Sequence, residues 1–267
     1  MLAEAGEDAK VLAGGQSLIP LLALRLAFPS VLVDISRILE MATVEQDNGT
    51  LTVGAAVRHR VLERSKEVRD AVPLVSEAMP LIGHVAIRSR GTIGGSIAHA
   101  DPAAELPAVA LALDATFTAR SKARGERTIA ASDFFDGYFT TALEPDEVLC
   151  AVSFPVLPAN TGVAVEEVAR RHGDFAMVGA VAAVTRGDDG GVTDARIALI
   201  NVAARPVRAS EAEQALVGGA SVEEAAAQAT KDLEPSGDLH ASPAYRKKVA
   251  GVCVRRALAR AIGGTER

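Results

Sequence analysis

Tryptophan is absent from this 267-residue chain, and the other aromatics are few: seven Phe and two Tyr. No tract of Lys and Arg stands out, and the net charge is −6. Nucleic-acid binding draws on phosphate-neutralising basic clusters and aromatic stacking platforms, and neither is present. No apolar run approaches the roughly 18 residues that suggest a membrane span. The densest stretch, residues 176–184, is half that length. The first residues, MLAEAGED, hold no basic region followed by an apolar one, which argues against a signal peptide and for the cytoplasm. Cysteine occurs twice, at Cys150 and Cys253, both within apolar stretches that read as buried free thiols. Two cysteines cannot supply the four ligands of an iron–sulfur cluster.

What the chain does have is apolar content. Residues of that kind make up 49% and charged ones 23%, so a proper core is within reach and disorder is a poor reading. The length admits one large domain or two small ones.

Residues 10–13 read as a strand running into glycines, and an apolar segment follows at 18–26. Further strands are predicted at 31–35, 51–57, 115–119 and 148–154. Asp47, Asn48 and Gly49 form a strong turn signal. Residues 61–82 read as helical, interrupted by Pro73 and Pro80, and 107–113 as a second helix. The stretch 155–162, opening with Pro155 and Pro158, is the best linker. Beyond it come strands at 162–168, 178–185 and 196–202, with a hairpin signal at 188–191. Helices are predicted at 207–217, after the capping-box spacing Ser221 to Glu224, and at 243–262. On the last, Tyr245, Val249, Val252, Leu258 and Ile262 fall near one face, with Lys247, Arg255 and Arg256 more outward. The class is α+β, in two unequal domains.

Two glycine loops stand out: AGGQS at 13–17, directly after a strand, and TIGGS at 92–96. Paired glycines accept φ > 0 and let a ligand approach the backbone closely. Consecutive N–H groups can then form a concave nest for an anion. Ser17, Thr92 and Ser96 add hydroxyls and Gln16 an amide. Neither loop contains Lys or Arg, so a phosphate there is expected to rest on neutral donors, each worth about 1.5–3 kcal/mol toward a charged group. Neither loop fits the GxxxxGK[ST] or GxGxxG pattern. Each alone is more often a tight turn; together they suit one ligand with two phosphates.

His99, Asp101 and Glu105 read as turn and helix-cap residues around Pro102, or as contacts to a ligand held by the loop; as a metal site they lack partners. Arg170, Arg171, His172 and Phe175 read as a polar turn, or as a ring-stacking Phe beside arginines facing an anionic partner.

The segments LAGGQSLIPLLALRLAFPSVLVDIS, GTIGGSIAHADPAAELPA, EEVARRHGDFAMVGA and SPAYRKKVAGVCVRRALARAI resemble, in order, the medium FAD-binding subunits of molybdenum hydroxylases, the carbon monoxide dehydrogenase and xanthine dehydrogenase group. The resemblance implies a PCMH-type FAD-binding domain of two α/β subdomains at 1–158, then a C-terminal domain with a three-stranded sheet and a helical bundle at 159–267. It implies that Val11, Leu12, Ala13, Gly14, Gly15, Gln16, Ser17 and Leu18 form one pyrophosphate loop. Thr92, Ile93, Gly94, Gly95 and Ser96 form the other. Glu105 stands where the family's DPxxD pattern has Asp touching FAD, one methylene longer. Ile82 and Leu149 match positions bordering the isoalloxazine ring, and Phe175 an aromatic at its face. The implied cofactor is FAD. The implied partners are a small subunit with two [2Fe–2S] clusters and a large molybdopterin subunit, in a heterotrimer that dimerises. The implied role is electron transfer, with no catalytic or metal-binding residue in this chain. The family begins with a strand and most of a helix before AGGQS, so the flavin domain is expected to lack its first strand here. The rivals are a stand-alone flavin reductase, whose catalytic Ser and Glu in a third domain are not evident, and an inactive, truncated nucleotide-binding protein.

Overall fold

The computed structural model describes residues 2–263. Helix α1 (Leu2–Ala5) leads into β1 (Ala9–Leu12), which crosses over through α2 (Leu18–Ala23) to pair in parallel with β2 (Val31–Asp34). The hairpin β3 (Val44–Asp47) and β4 (Thr50–Gly54) turns where the Asn-Gly signal stands, with Asn48 and Gly49 both at positive φ. The region read as one interrupted helix is three short ones: α3 (His59–Arg64), α4 (Lys66–Ala71) and α5 (Pro73–Ala78). Pro73 opens α5 at its first turn, the position that its missing N–H tolerates. Next come α6 (Val85–Arg88), α7 (Ile93–His99) and α8 (Glu105–Ala112).

Strands β5 (Thr116–Ser121) and β6 (Gly125–Ala130) and the small hairpin β7 (Phe135–Gly137) and β8 (Thr140–Thr141) precede β9 (Glu147–Pro155). Strand β9 is central to an antiparallel five-stranded sheet of order β3-β4-β9-β5-β6. The second half holds β10 (Thr161–Val168), β11 (Val178–Arg186), β12 (Val192–Ile200) and β13 (Val207–Arg208), in that order in one antiparallel sheet. The predicted three strands are there, and two-residue β13 extends them to four where a helix start was expected. Helices α9 (Ser210–Val217), α10 (Val222–Thr230) and α11 (Pro243–Gly263) follow. Ser221 and Glu224 form the full capping box at α10.

The second sheet has no wet face. Val165, Val181, Ala183, Ala198 and Ile200 join the core that contains the first sheet and α8. Ala164, Ala180, Ala182, Val184, Ile197 and Leu199 face α9–α11. Strand β11 is therefore buried on both sides, which explains its near-continuous apolar run. The buried face of α11 holds Ala250, Cys253, Val254, Ala257, Leu258 and Ala261; of the expected residues Leu258 is buried, Val249 and Ile262 pack at its edge with Arg255 and Arg256 outward, and Tyr245 is exposed. Small residues let the helix lie close on the sheet. Cys253 is buried as predicted, but Cys150 only half so. No helix among the described residues is long and apolar enough to cross a membrane.

Phe117, Phe134 and Phe135 form an aromatic cluster beside the first sheet, with ring centroids 4.3 to 5.9 Å apart. In a chain so poor in aromatics this cluster is a main anchor. Phe134→Ala should destabilise the fold by about 3–5 kcal/mol, read by urea denaturation; a loss below about 1 kcal/mol would show that the site collapses around the gap.

Candidate flavin-nucleotide site

The first glycine loop leaves the carboxyl end of β1. Gly14 is glycine because backbone lies against it: a Cβ there would stand 2.4 Å from the Arg90 carbonyl oxygen and 2.7 Å from Gly91 Cα. Gly15 takes φ of +72°. Among the described residues, no backbone N–H from 14 to 17 donates a hydrogen bond. Ser17 makes no capping bond to α2, and the Gln16 amide donates to Gly14 O at 3.2 Å. The loop thus presents consecutive unspent donors.

The second loop differs from the expectation. Ile93 N–H donates to Val57 O at 3.1 Å, Gly94 to Ala55 O at 3.0 Å, and Ser96 to Thr92 O at 3.0 Å. Gly95 N–H donates to Thr92 Oγ1 at 3.0 Å, capping α7. This is no open nest: its amides are spent on the protein. Gly94 is required for packing, since its Cβ would fall 2.3 Å from Ala55 Cβ. Thr92, Ile93 and Gly94 are buried, and Ser96, half-buried, keeps a hydroxyl with no partner among the described residues.

The two loops do meet. A Cβ on Gly95 would lie 3.6 Å from Ala13 Cβ, and the first loop rests on Arg90 and Gly91. A cleft of about 330 Å³ opens there, lined by residues 12–16, Asp34, Ser36, Arg58 and Arg90. Its donors are therefore not all neutral, contrary to the reading of the loops alone. Two arginines come from elsewhere in the chain, the Arg58 guanidinium donating to the Arg90 carbonyl. His59 beside them is buried under Gly91, and burial pushes it down to about 4, so it is a neutral wedge near neutral pH.

Ile82 and Phe175 are brought to one region. The 170–175 turn joins β10 to β11, and Gly173 abuts Gly83 and His84; the His84 and His172 rings stand 6.4 Å apart. Arg88 fixes the 82–83 turn, bonding the carbonyls of Ile82 at 3.1 Å and Gly83 at 2.8 Å and pairing bidentately with Glu63. Phe175 is 64% exposed, free to offer its ring face. Leu149 is buried in β9, with its side chain in the core. Asp101 serves its own turn, accepting from Ala103 N–H at 2.9 Å. His99 packs on Phe139, centroids 5.1 Å apart.

Glu105 is not in the cleft. It is 5% exposed at the start of α8, near Glu167 of β10. Burial, and then the Glu167 charge, push its carboxyl up to about 8, and burial pushes Glu167 up to about 7. Sequence reasoning missed Glu167, Asp34, Ser36, Arg58 and Arg90. Only Asp34 left a signal, as an acid closing the strand after a glycine loop.

The cleft lies between a parallel β-α-β unit and the segment around residues 58–90, and the exposed Phe175 stands on a separate turn. The chain belongs to the family described as "FAD binding domain in molybdopterin dehydrogenase", which matches residues 1–157. Residues 163–261 match the CO dehydrogenase flavoprotein C-terminal domain. The chain is 42% identical over 266 residues to the 6-hydroxypseudooxynicotine dehydrogenase complex subunit alpha of Paenarthrobacter nicotinovorans, covering 98% of this chain and 90% of that one. It is 39% identical over 263 residues to the carbon monoxide dehydrogenase medium chain of Hydrogenophaga pseudoflava, covering 97% and 91%. The carbon monoxide dehydrogenase structure from Hydrogenophaga pseudoflava superposes with a TM-score of 0.94 at 41% identity, over 98% of this chain and 92% of that chain. Quinoline 2-oxidoreductase from Pseudomonas putida 86 gives 0.93 at 40%, over 100% and 93%. The protein is thus an oxidoreductase subunit whose cofactor is FAD.

The carboxyl pair between the halves carries a pH dependence. The folded state holds these protons more tightly than the unfolded chain, whose carboxyls titrate near 4.5. Their favourable contribution is full below that value and is lost as pH rises toward about 8. The melting temperature of the flavin-free Glu105→Gln variant should therefore fall less than wild type between pH 5 and 8. Parallel profiles would contradict the assignment.

Proposed function

We propose that this chain is the electron-transfer flavoprotein of a molybdenum hydroxylase, receiving electrons from a [2Fe–2S] partner subunit and passing them to an external acceptor. The observation that carries the reading is the unspent amide run at 14–17, set with Arg58 and Arg90 in one cleft. That is a cradle for a diphosphate, and Gly14 lets the loop lie directly on the Arg90 carbonyl beside it. FAD supplies the redox chemistry when bound; the protein supplies position and charge.

In this reading the loop at 11–18 holds the diphosphate through its free amides at 14–17, and Arg58 and Arg90 offset its charge. The 92–96 segment acts as a rigid floor, with Ser96 the one hydroxyl it offers. Ile82 and Phe175 flank the ring system, Phe175 by stacking. Leu149 and Glu105 support that region from within, Leu149 from the first sheet and Glu105 from beside the second. We take 1–158 as the flavin domain and 159–267 as the C-terminal domain, with their seam near Glu105 and Glu167.

The chain has two cysteines, on separate elements, so clusters must come from a partner. The relatives' own names, "complex subunit" and "medium chain", support an assembly. We assign as partners an iron–sulfur small subunit and a molybdopterin large subunit, in a dimerised heterotrimer.

The purified chain given excess FAD should bind it noncovalently, seen as flavin absorbance after gel filtration. Gly14→Ala should lose most of that flavin while keeping a cooperative melt, because its Cβ lifts the loop from Arg90. Wild-type flavin content in Gly14→Ala would make the loop a plain turn. Substrate oxidation should be absent from the chain alone and appear only with the two partner subunits; hydroxylation by the isolated chain would overturn the assigned role.

A further inference from the structure

The cleft has one acidic wall. Strands β1 and β2 are parallel, with Leu12 opposite Asp34, so the glycine loop and Asp34 leave the same edge of that sheet. Asp34 is exposed, and its Oδ1 accepts from Ser36 N–H at 2.8 Å, which sets the carboxylate in place. The Ser36 hydroxyl and N–H, with Arg37 and Arg58 more weakly, hold it below the usual carboxylate range. The lining of this one cleft thus runs from the glycine loop and two arginines to a carboxylate held by Ser36.

A carboxylate only accepts hydrogen bonds. It repels phosphate and suits a pair of neighbouring hydroxyls, each donating to one oxygen. In doubly wound dinucleotide-binding folds an acid about 20 residues past the phosphate loop reads a nucleoside ribose in this way, and Asp34 stands 20 residues past Gly14, although this loop lacks their glycine fingerprint. We propose that Asp34 accepts the two hydroxyls of an unphosphorylated adenosine ribose, so that the cleft takes the adenosine diphosphate half of its ligand and rejects a 2′-phosphorylated one. The inference rests on the reading of the cleft as the FAD site. The flavin half then lies toward Ile82 and Phe175, and its ribityl hydroxyls are not read by Asp34.

The test is calorimetric titration of the full flavin-free chain with FAD, ADP, adenosine 2′,5′-bisphosphate and FMN, for wild type, Asp34→Asn and Asp34→Ala. Asn keeps the bond to Ser36 N–H, and melting temperatures confirm that each variant folds. ADP should compete with FAD in wild type, and adenosine 2′,5′-bisphosphate should bind at least about tenfold more weakly than ADP. Both variants should weaken FAD and ADP by about tenfold, narrow the gap to adenosine 2′,5′-bisphosphate, and leave FMN unchanged. Wild-type affinities in both variants would overturn the inference while leaving the FAD reading intact, as would a loss confined to FMN. Failure of wild type to bind FAD would overturn the cleft's assignment, and this inference with it.

Discussion

Backbone meeting backbone is the contact on which the site depends. At Gly14 the first loop lies on the Arg90 carbonyl, and at Gly94 the second segment lies on Ala55, with no room for a Cβ at either. Ala55 N–H in turn bonds Cys150 O of β9 at 2.8 Å, and Ala56 N–H bonds Met41 O at 2.8 Å. The floor of the cleft is thereby continuous with the central strand of the first sheet. This produces a division of labour between two glycine motifs that look alike. The amides at 93–96 are consumed in building the floor, and those at 14–17 donate to nothing among the described residues.

The second half contributes to the site through the same packing logic. Its sheet shares one face with the flavin domain's core, so the 170–175 turn is held over residues 82–84 by the position of the whole sheet. Polar ties reinforce the seam. Asn201 N–H bonds Pro102 O at 2.8 Å, Arg208 reaches Asp114 at 2.9 Å, and Arg260 bridges Glu77 and Glu166. A buried carboxyl at Glu105 and a half-buried one at Glu167 sit in this seam instead of apolar residues, at a cost in stability that rises with pH.

Much of the fold was legible because its signals are local. The Asn-Gly turn, the Ser221–Glu224 capping box and the buried run of β11 act through residues next to one another in sequence. The glycine loops were legible as loops for the same reason. Their unequal use was not, because the acceptors for 93 and 94 are Val57 and Ala55, far back in the chain. Arg58 and Arg90 were missed because only the fold carries them to the first loop. The centre of the buried face of α11 was not legible because alanines, which carry little hydrophobic signal, make the close contact, while Leu258, Val249 and Ile262 pack as expected. The burial of Glu105 beside Glu167 of β10 was not legible either, because it depends on a contact across the seam between the halves.

Residue-resolved amide hydrogen exchange with and without FAD is the most direct measurement. The N–H groups of residues 14–17 should exchange fast in the flavin-free chain and become protected on binding. Those of 93–96, already bonded, should be slow in both states. Protection gained at 93–96 with none at 14–17, in a chain that binds FAD, would contradict the account.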